Sequence, residues 1–117
     1  MPTRVQRKRT KGWRMPPGTI YVGRPTVWGN PFGSDGGNIG DAVVAFREYV
    51  MSGLENRPST TGHFAAAADA TQGYPRRKRI IDSLPQLRGK NLACWCKPGA
   101  PCHADVLLEI ANRPEPR

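Results

Sequence analysis

From Asp41 onward the apolar residues fall into a helical rhythm. Ala42, Ala45, Phe46, Tyr49 and Val50 stand at i, i+3, i+4, i+7 and i+8, one face of a helix. Asp41 is placed to cap the start of that helix and Gly53 to stop it. Upstream, "TIYVG" (19–23) is β-branched and aromatic and ends at a glycine, which predicts a buried strand. "KNLACWC" (90–96) predicts a second core strand, with Leu92, Cys94 and Cys96 on one face and Ala93 and Trp95 on the other. Between them, "FAAAADATQ" (64–72) predicts a short helix ending at Gly73, and "PRRKRIIDSL" (75–84) another, opened by Pro75 and closed before Pro85. After a turn at "KPGAP", "CHADVLLEIA" (102–111) starts a last helix with Ala104, Leu107, Leu108 and Ala111 on one stripe. Strands alternating with helices predict an α/β fold, a small, mostly parallel, Rossmann-like sheet flanked by helices.

The remaining segments are loops and an arm. Residues 1–17 read as a basic N-terminal arm ending at Pro16-Pro17, and residues 18–117 as a single α/β domain. Val5 and Trp13 are placed to anchor the arm, and its basic residues alternate with polar ones as on an exposed strand, which also suits an oligomer-forming strand. "RPTVWGNPFG" (24–33) is a loop punctuated by Pro25, Gly29, Pro31 and Gly33. "ENRPSTTGH" (55–63) is a surface loop whose His63 is expected to face water.

Composition changes this picture in two ways. No apolar run approaches the ~20 residues that cross a bilayer, and the charged N-terminus lacks the apolar stretch of a signal peptide. Three cysteines cannot all pair within one chain, which fits a reducing compartment and a cytoplasmic location. Charge is the second change: 18 Lys and Arg against 9 Asp and Glu give +9. Arg4, Arg7, Lys8, Arg9, Lys11 and Arg14 form one block without an acid, and Arg76, Arg77, Lys78 and Arg79 form another. Such blocks attract phosphate backbones by counterion release, and they also occur as solvated faces that bind nothing.

Candidate chemistry gathers in "ACWCKPGAPCHAD" (93–105), which holds every cysteine and one of the two histidines. Cys94, Cys96, Cys102 and His103 are the donor types of a structural zinc site. Their spacing departs from the usual C-x-x-C, and same-facing strand positions lie about 6.5–7 Å apart. Zinc therefore requires the strand to end between Cys94 and Cys96, and no cofactor is assigned. Alternatively, Cys102 at a helix start is a thiol whose ionised form is favoured there. His103 then serves as base or donor and Asp105 as a first-turn carboxylate, or the helix start binds an anion without covalent chemistry. Packing is the third reading, favoured for Cys94 in mid-strand.

The loop 24–33 brings Arg24, Trp28 and Asn30 together. An arginine for phosphate or carboxylate, an aromatic face and an amide suit a nucleotide-like ligand. The competing reading is a structural loop whose Trp28 and Phe32 plug the core. The Gly-x4-Gly-Lys-Ser/Thr pattern of a P-loop is absent, and acids are scarce for a magnesium-dependent nuclease. A reaction would lean on Cys102, His103, Asp105 or Asp41.

Two stretches, "RVQRKRTKGWRMPPGTIYVGRPTVWGNPF" and "LRGKNLACWCKPGAPCHADVLLEIAN", together resemble the signature blocks of the family called domain of unknown function 4326, frequent in phage genomes and present in cellular ones. The resemblance implies a small α/β domain with a site where the "VGRPTVWGNPF" loop meets the "CWC…CHAD" turn, and for a phage-encoded member the host cytoplasm. Ligands of open α/β sheets bind outside the carboxyl ends of the strands, so parallel neighbouring strands would set Arg24, Trp28 and Asn30 across a crevice from Cys102, His103 and Asp105. The leading expectation is a nucleotide or nucleic-acid component bound in that crevice, with modification by a transferase or hydrolase step. The alternatives are a non-catalytic nucleic-acid-binding accessory protein with a zinc knuckle, and a phage effector that docks on a host protein.

Overall fold

Three short strands lie side by side: β1 (Arg4–Gln6), β2 (Thr19–Tyr21) and β3 (Asn91–Cys94). They belong to a computed structural model that describes residues 2–24, 26–32, 39–60, 64–96 and 99–112. All three run parallel, with β3 in the centre and β1 and β2 on either side. Val5 and Tyr21 both stand level with Ala93. Single bonds extend both ladders: Leu92 N–H donates to the Thr3 carbonyl at 3.0 Å and Arg7 N–H to that of Cys94 at 2.7 Å, while Asn91 N–H donates to Gly18 at 3.1 Å and Val22 N–H to Ala93 at 3.0 Å.

The segment expected as a basic arm therefore contributes a strand through Arg4–Gln6. Without it, the backbone of β3 would be unpaired along one side, a costly outcome for a strand whose Leu92, Ala93 and Cys94 are buried.

The helices are α1 (Ile39–Leu54), α2 (Phe64–Ala70), α3 (Pro75–Ser83), which continues into a 3-10 turn at Leu84–Leu87, and α4 (His103–Ala111). The stripe Ala42, Ala45, Phe46, Tyr49 and Val50 of α1 is buried, as its spacing predicts. On α4 the buried set is Ala104, Val106, Leu107, Ile110 and Ala111, with Leu108 at its margin. Full burial of a large apolar side chain is worth roughly 1.5–3 kcal/mol, so these two stripes and Leu92 hold helices to sheet.

Two helix ends differ from expectation. Helix α1 starts before Asp41, which sits in the first turn, where a carboxylate meets the positive end of the helix. Gly53 lies inside α1 and does not stop it, because its role is close approach: a Cβ there would come within 2.2 Å of Ile81 Cδ1 and 2.9 Å of Arg77 Cδ. The turn is made beyond the helix, at Asn56 with φ 54°.

Trp28 and Phe32 are buried, and the Phe32 ring meets that of Tyr49 edge-on at 5.3 Å. The loop around them thus plugs the core. Pro25, Gly33 and His63 lie outside the described residues. Among the described residues, no helix is long and apolar enough to cross a membrane.

Candidate functional site

The carboxyl ends of the strands collect the reactive side chains. Strand β3 stops at Cys94, and the chain bends at Trp95 and Cys96. That break removes the extended spacing that would hold Cys94 and Cys96 apart. Gly99, in the left-handed region at φ 83°, turns the chain back toward the start of α4. Cys102 then occupies the N-cap position in extended conformation and makes no capping hydrogen bond. Its sulfur turns into the cluster instead. Cys94 and Cys102 Sγ are 3.0 Å apart, and all three cysteine sulfurs lie within 4.8 Å of one another. All three are free thiols, Cys94 and Cys102 buried and Cys96 half-buried.

Proximity separates their acidities. Cys102 is held well below the usual thiol range, first by the Cys94 thiol, against its own burial. Cys94 is pushed up by its bond to Cys102 and by its burial. Cys96 is raised by burial and by Cys102, with the Arg4 charge opposing.

His103 Nε2 lies 2.8 Å from the Val22 carbonyl, which can only accept, so that nitrogen carries a proton. In the neutral ring the lone pair is left on Nδ1, 3.9 Å from Cys102 Sγ. The Phe46 ring meets the imidazole edge-on at 5.5 Å. This bond ties the loop after β2 to the start of α4. Asp105 does not orient the imidazole: it pairs with Arg4 at 3.0 Å, and Arg4 also donates to the Ala100 carbonyl at 2.8 Å. Cys102, His103 and Asp105 are thus neighbours without being a relay.

The ligand-type residues of the loop are engaged within it. Arg24 donates through Nε and Nη2 to the Asn30 carbonyl at 3.0 and 2.8 Å. The Asn30 amide donates to the Ala42 carbonyl at 3.2 Å, and its oxygen accepts from Phe32 N–H at 2.9 Å. Trp28 is buried and its Nε1 has no hydrogen-bond partner. Its ring faces are covered, not offered.

A different aromatic group is open. Arg7 and Trp95 each follow the last residue pair of the β1–β3 register, Gln6 and Cys94. The Arg7 guanidinium packs over the Tyr21 ring at 4.5 Å and the Trp95 ring at 4.7 Å, and that of Arg9 lies over Trp95 at 4.8 Å. Tyr21 is fixed by its hydroxyl, which donates to the Arg24 carbonyl at 2.8 Å. Only a glycine fits beneath it, since a Cβ on Gly23 would lie 2.4 Å from the Tyr21 hydroxyl. Trp95 remains 41% exposed, and Lys8, Arg9, Lys11 and Arg14 are exposed around it in sequence. No ion pair among the described residues involves these four or Arg7, and Arg7 Nε is buried without an acceptor. Arg4, by contrast, is turned to Asp105 and leaves this group.

The second basic block is largely structural. Arg77 donates to Ser52 Oγ and to the Arg57 carbonyl, both at 3.0 Å, and stacks on Tyr74 at 3.5 Å. Lys78 pairs with Asp82 at 3.2 Å. Arg76 and Arg79 line a groove of about 370 Å³ with Ala65, Ala68 and Asp69. Asp69, which sequence reasoning passes over, is the acid that organises this end. It accepts from the Arg76 and Arg77 amides at 2.9 and 3.1 Å and from the Tyr49 hydroxyl. Helix α3 begins at Tyr74-Pro75 without a capping side chain of its own, and that absence was the available signal.

Comparison with known proteins now fits this geometry to a family. The family described as domain of unknown function (DUF4326) matches residues 5–113, from β1 to beyond α4. The chain belongs to this family. DUF4326 here spans both the cysteine cluster and the Arg7–Trp95 group. A protein of Enterobacteria phage T4, described as an uncharacterized 12.4 kDa protein in the nrdA-td intergenic region, is 30% identical over 94 residues, covering 80% of this chain and 68% of that protein. No solved structure matches the chain.

Proposed function

We propose that this DUF4326 protein binds single-stranded nucleic acid at the carboxyl edge of its sheet. Trp95 is the stacking platform, and Arg7, Lys8, Arg9, Lys11 and Arg14 are the charges that follow the phosphate backbone. One observation carries the reading: two guanidinium groups, Arg7 and Arg9, lie against the one exposed ring of Trp95 with no acid paired to either among the described residues. Cation–π contacts of about 0.5–1 kcal/mol hold such groups in place without neutralising them. A positive groove beside an accessible aromatic is how sequence-tolerant single-strand binders work, with roughly 1–3 kcal/mol per stacked base. A duplex keeps its base faces inside the stack and would use the charges alone. The reading treats the sheet as Rossmann-like in one respect, that the ligand sits at the strands' carboxyl edge. The relative in a phage supports a role in the cytoplasm of an infected cell.

The crevice reading, a nucleotide held by Arg24, Trp28 and Asn30 beside Cys102, has less support. Arg24 already bonds within the loop, Asn30 bonds within it and to α1, and Trp28 is buried. The test compares a labelled single-stranded oligonucleotide with a mononucleotide. Trp95→Ala should weaken oligonucleotide binding by about 1–3 kcal/mol with an unchanged melting temperature, and Arg24→Ala should leave it intact. A ligand-induced rise in melting temperature with the mononucleotide, lost in Arg24→Ala but kept in Trp95→Ala, would move the function to the crevice.

A further inference from the structure

The end of β3 and the first turn of α4 carry donors that neither strand pairing nor nucleic-acid binding uses. The geometry points to a zinc site here, with the sulfurs of Cys94, Cys96 and Cys102 as three ligands and His103 Nδ1 as the fourth. Tetrahedral zinc, with Zn–S near 2.3 Å and Zn–N near 2.0–2.1 Å, sets its sulfurs about 3.8 Å apart and a sulfur about 3.6 Å from the nitrogen. The Cys94–Cys102 separation of 3.0 Å and the 4.8 Å limit on the sulfur trio bracket the sulfur spacing, and Cys102 Sγ lies 3.9 Å from Nδ1; His103 stands outside that trio and must move toward Cys94 and Cys96 to complete the site. The obstacle in the sequence was that an extended strand spaces same-facing side chains too far apart. It is removed because β3 ends at Cys94 and the chain bends at Cys96. Cys102 and His103 are adjacent, and two helical neighbours would point about 100° apart, but Cys102 is extended while His103 is the first helical residue.

A second, independent observation supports the site. A metal-bound histidine almost always donates its other ring N–H to a carbonyl or carboxylate, which fixes the tautomer. His103 Nε2 does this with the Val22 carbonyl at 2.8 Å and leaves Nδ1 facing Cys102 Sγ at 3.9 Å. The donor set is sulfur and nitrogen without oxygen, which suits zinc and disfavours magnesium or calcium. Three thiolates and Zn²⁺ leave one negative charge. The amino end of α4 and Arg4, whose charge already favours ionised Cys96, lie beside it. Binding displaces to solvent the protons that the thiols carry, and no electron changes hands.

The site would have a structural consequence. Cys94 and Cys96 flank Trp95, so one ion held by both fixes the backbone on either side of the ring. That consequence rests on the nucleic-acid reading, whereas the metal site does not.

The experiment uses the full, reduced chain titrated with Zn²⁺ against a chromophoric chelator, and with Co²⁺ as a spectroscopic probe. We expect one ion per chain, a tetrahedral cobalt spectrum with thiolate charge-transfer absorption, and thiols masked until a stronger chelator is added. Cys96 is half-buried, so Cys96→Ser should keep the fold, checked by its melting curve. Its affinity should fall by more than about 100-fold, beyond what loss of an outer partner costs. His103→Gln should lose affinity in the same way, and an unchanged constant would strike His103 from the ligand set. The proposal is overturned if the folded, reduced chain takes up neither metal, or if Cys96→Ser binds zinc as tightly as the parent. It is equally overturned if Cys94 and Cys102 oxidise to a disulfide at a rate that excess zinc does not slow.

Discussion

Asp69 and Cys102 are both buried acids beside the start of a helix, Asp69 serving α3 and Cys102 beginning α4. Asp69 uses most of its acceptor sites: two backbone amides of α3 and the Tyr49 hydroxyl donate to it, and burial together with Asp69 pushes the Tyr49 hydroxyl up, so it stays a donor. Cys102 caps nothing with its side chain. Its sulfur is stabilised chiefly by a neighbouring thiol 3.0 Å away, in a cluster whose third member is half open to solvent. The first arrangement has most of its capacity taken by its own fold. The second has three sulfurs and a ring nitrogen with lone pairs to give. Spare bonding capacity, more than burial or charge alone, separates a structural polar cluster from a site.

That contrast can be broken from either end. Asp69→Ala should have the largest effect. It strands the buried Tyr49 hydroxyl and two part-buried amides, and at about 1 kcal/mol each the loss is about 3 kcal/mol. In thermal melts that is a fall of roughly 10 °C or more for a domain of this size, while oligonucleotide affinity of the folded protein is kept. Zinc should act in the opposite direction: at a free concentration 100 times its dissociation constant it should add about 2.7 kcal/mol of stability. That rise should vanish in Cys96→Ser and persist, from a lower baseline, in Asp69→Ala. Tyr49→Phe removes one of the three donors and should cost about 1 kcal/mol, with no change in metal uptake. Arg9→Ala should leave the melting temperature alone and reduce the salt dependence of oligonucleotide binding by about one phosphate contact.

The sequence shows some of this and hides the rest for physical reasons. The α1 stripe from Ala42 to Val50 is legible because a helix buries one face at a fixed period, and β3 because Leu92 to Cys94 is short, apolar and bounded by turns. Helix ends are less legible. Gly53 carries a stop signal, yet it is needed for the approach of Ile81, a contact that only tertiary packing supplies. The three cysteines can be recognised as a group, and the condition for their convergence, a strand ending between Cys94 and Cys96, can be written down from strand geometry. Whether the strand meets it depends on a bend that no residue pattern announces. Arg24 and Asn30 show a related limit: donor and acceptor types are visible in a sequence, but the bonds they make to their own loop and to α1 are not. The Arg7–Trp95 group escapes because its members lie 88 positions apart and are joined only by the parallel register.

The most direct test of the central claim is a salt series of tryptophan fluorescence as single-stranded oligonucleotide is added to the protein and to Trp95→Ala. Binding that quenches the parent's emission, weakens steeply with salt and falls by about 1–3 kcal/mol in the variant is the result the account predicts. Absence of binding at low salt, or equal affinity and salt slope in Trp95→Ala, would contradict it.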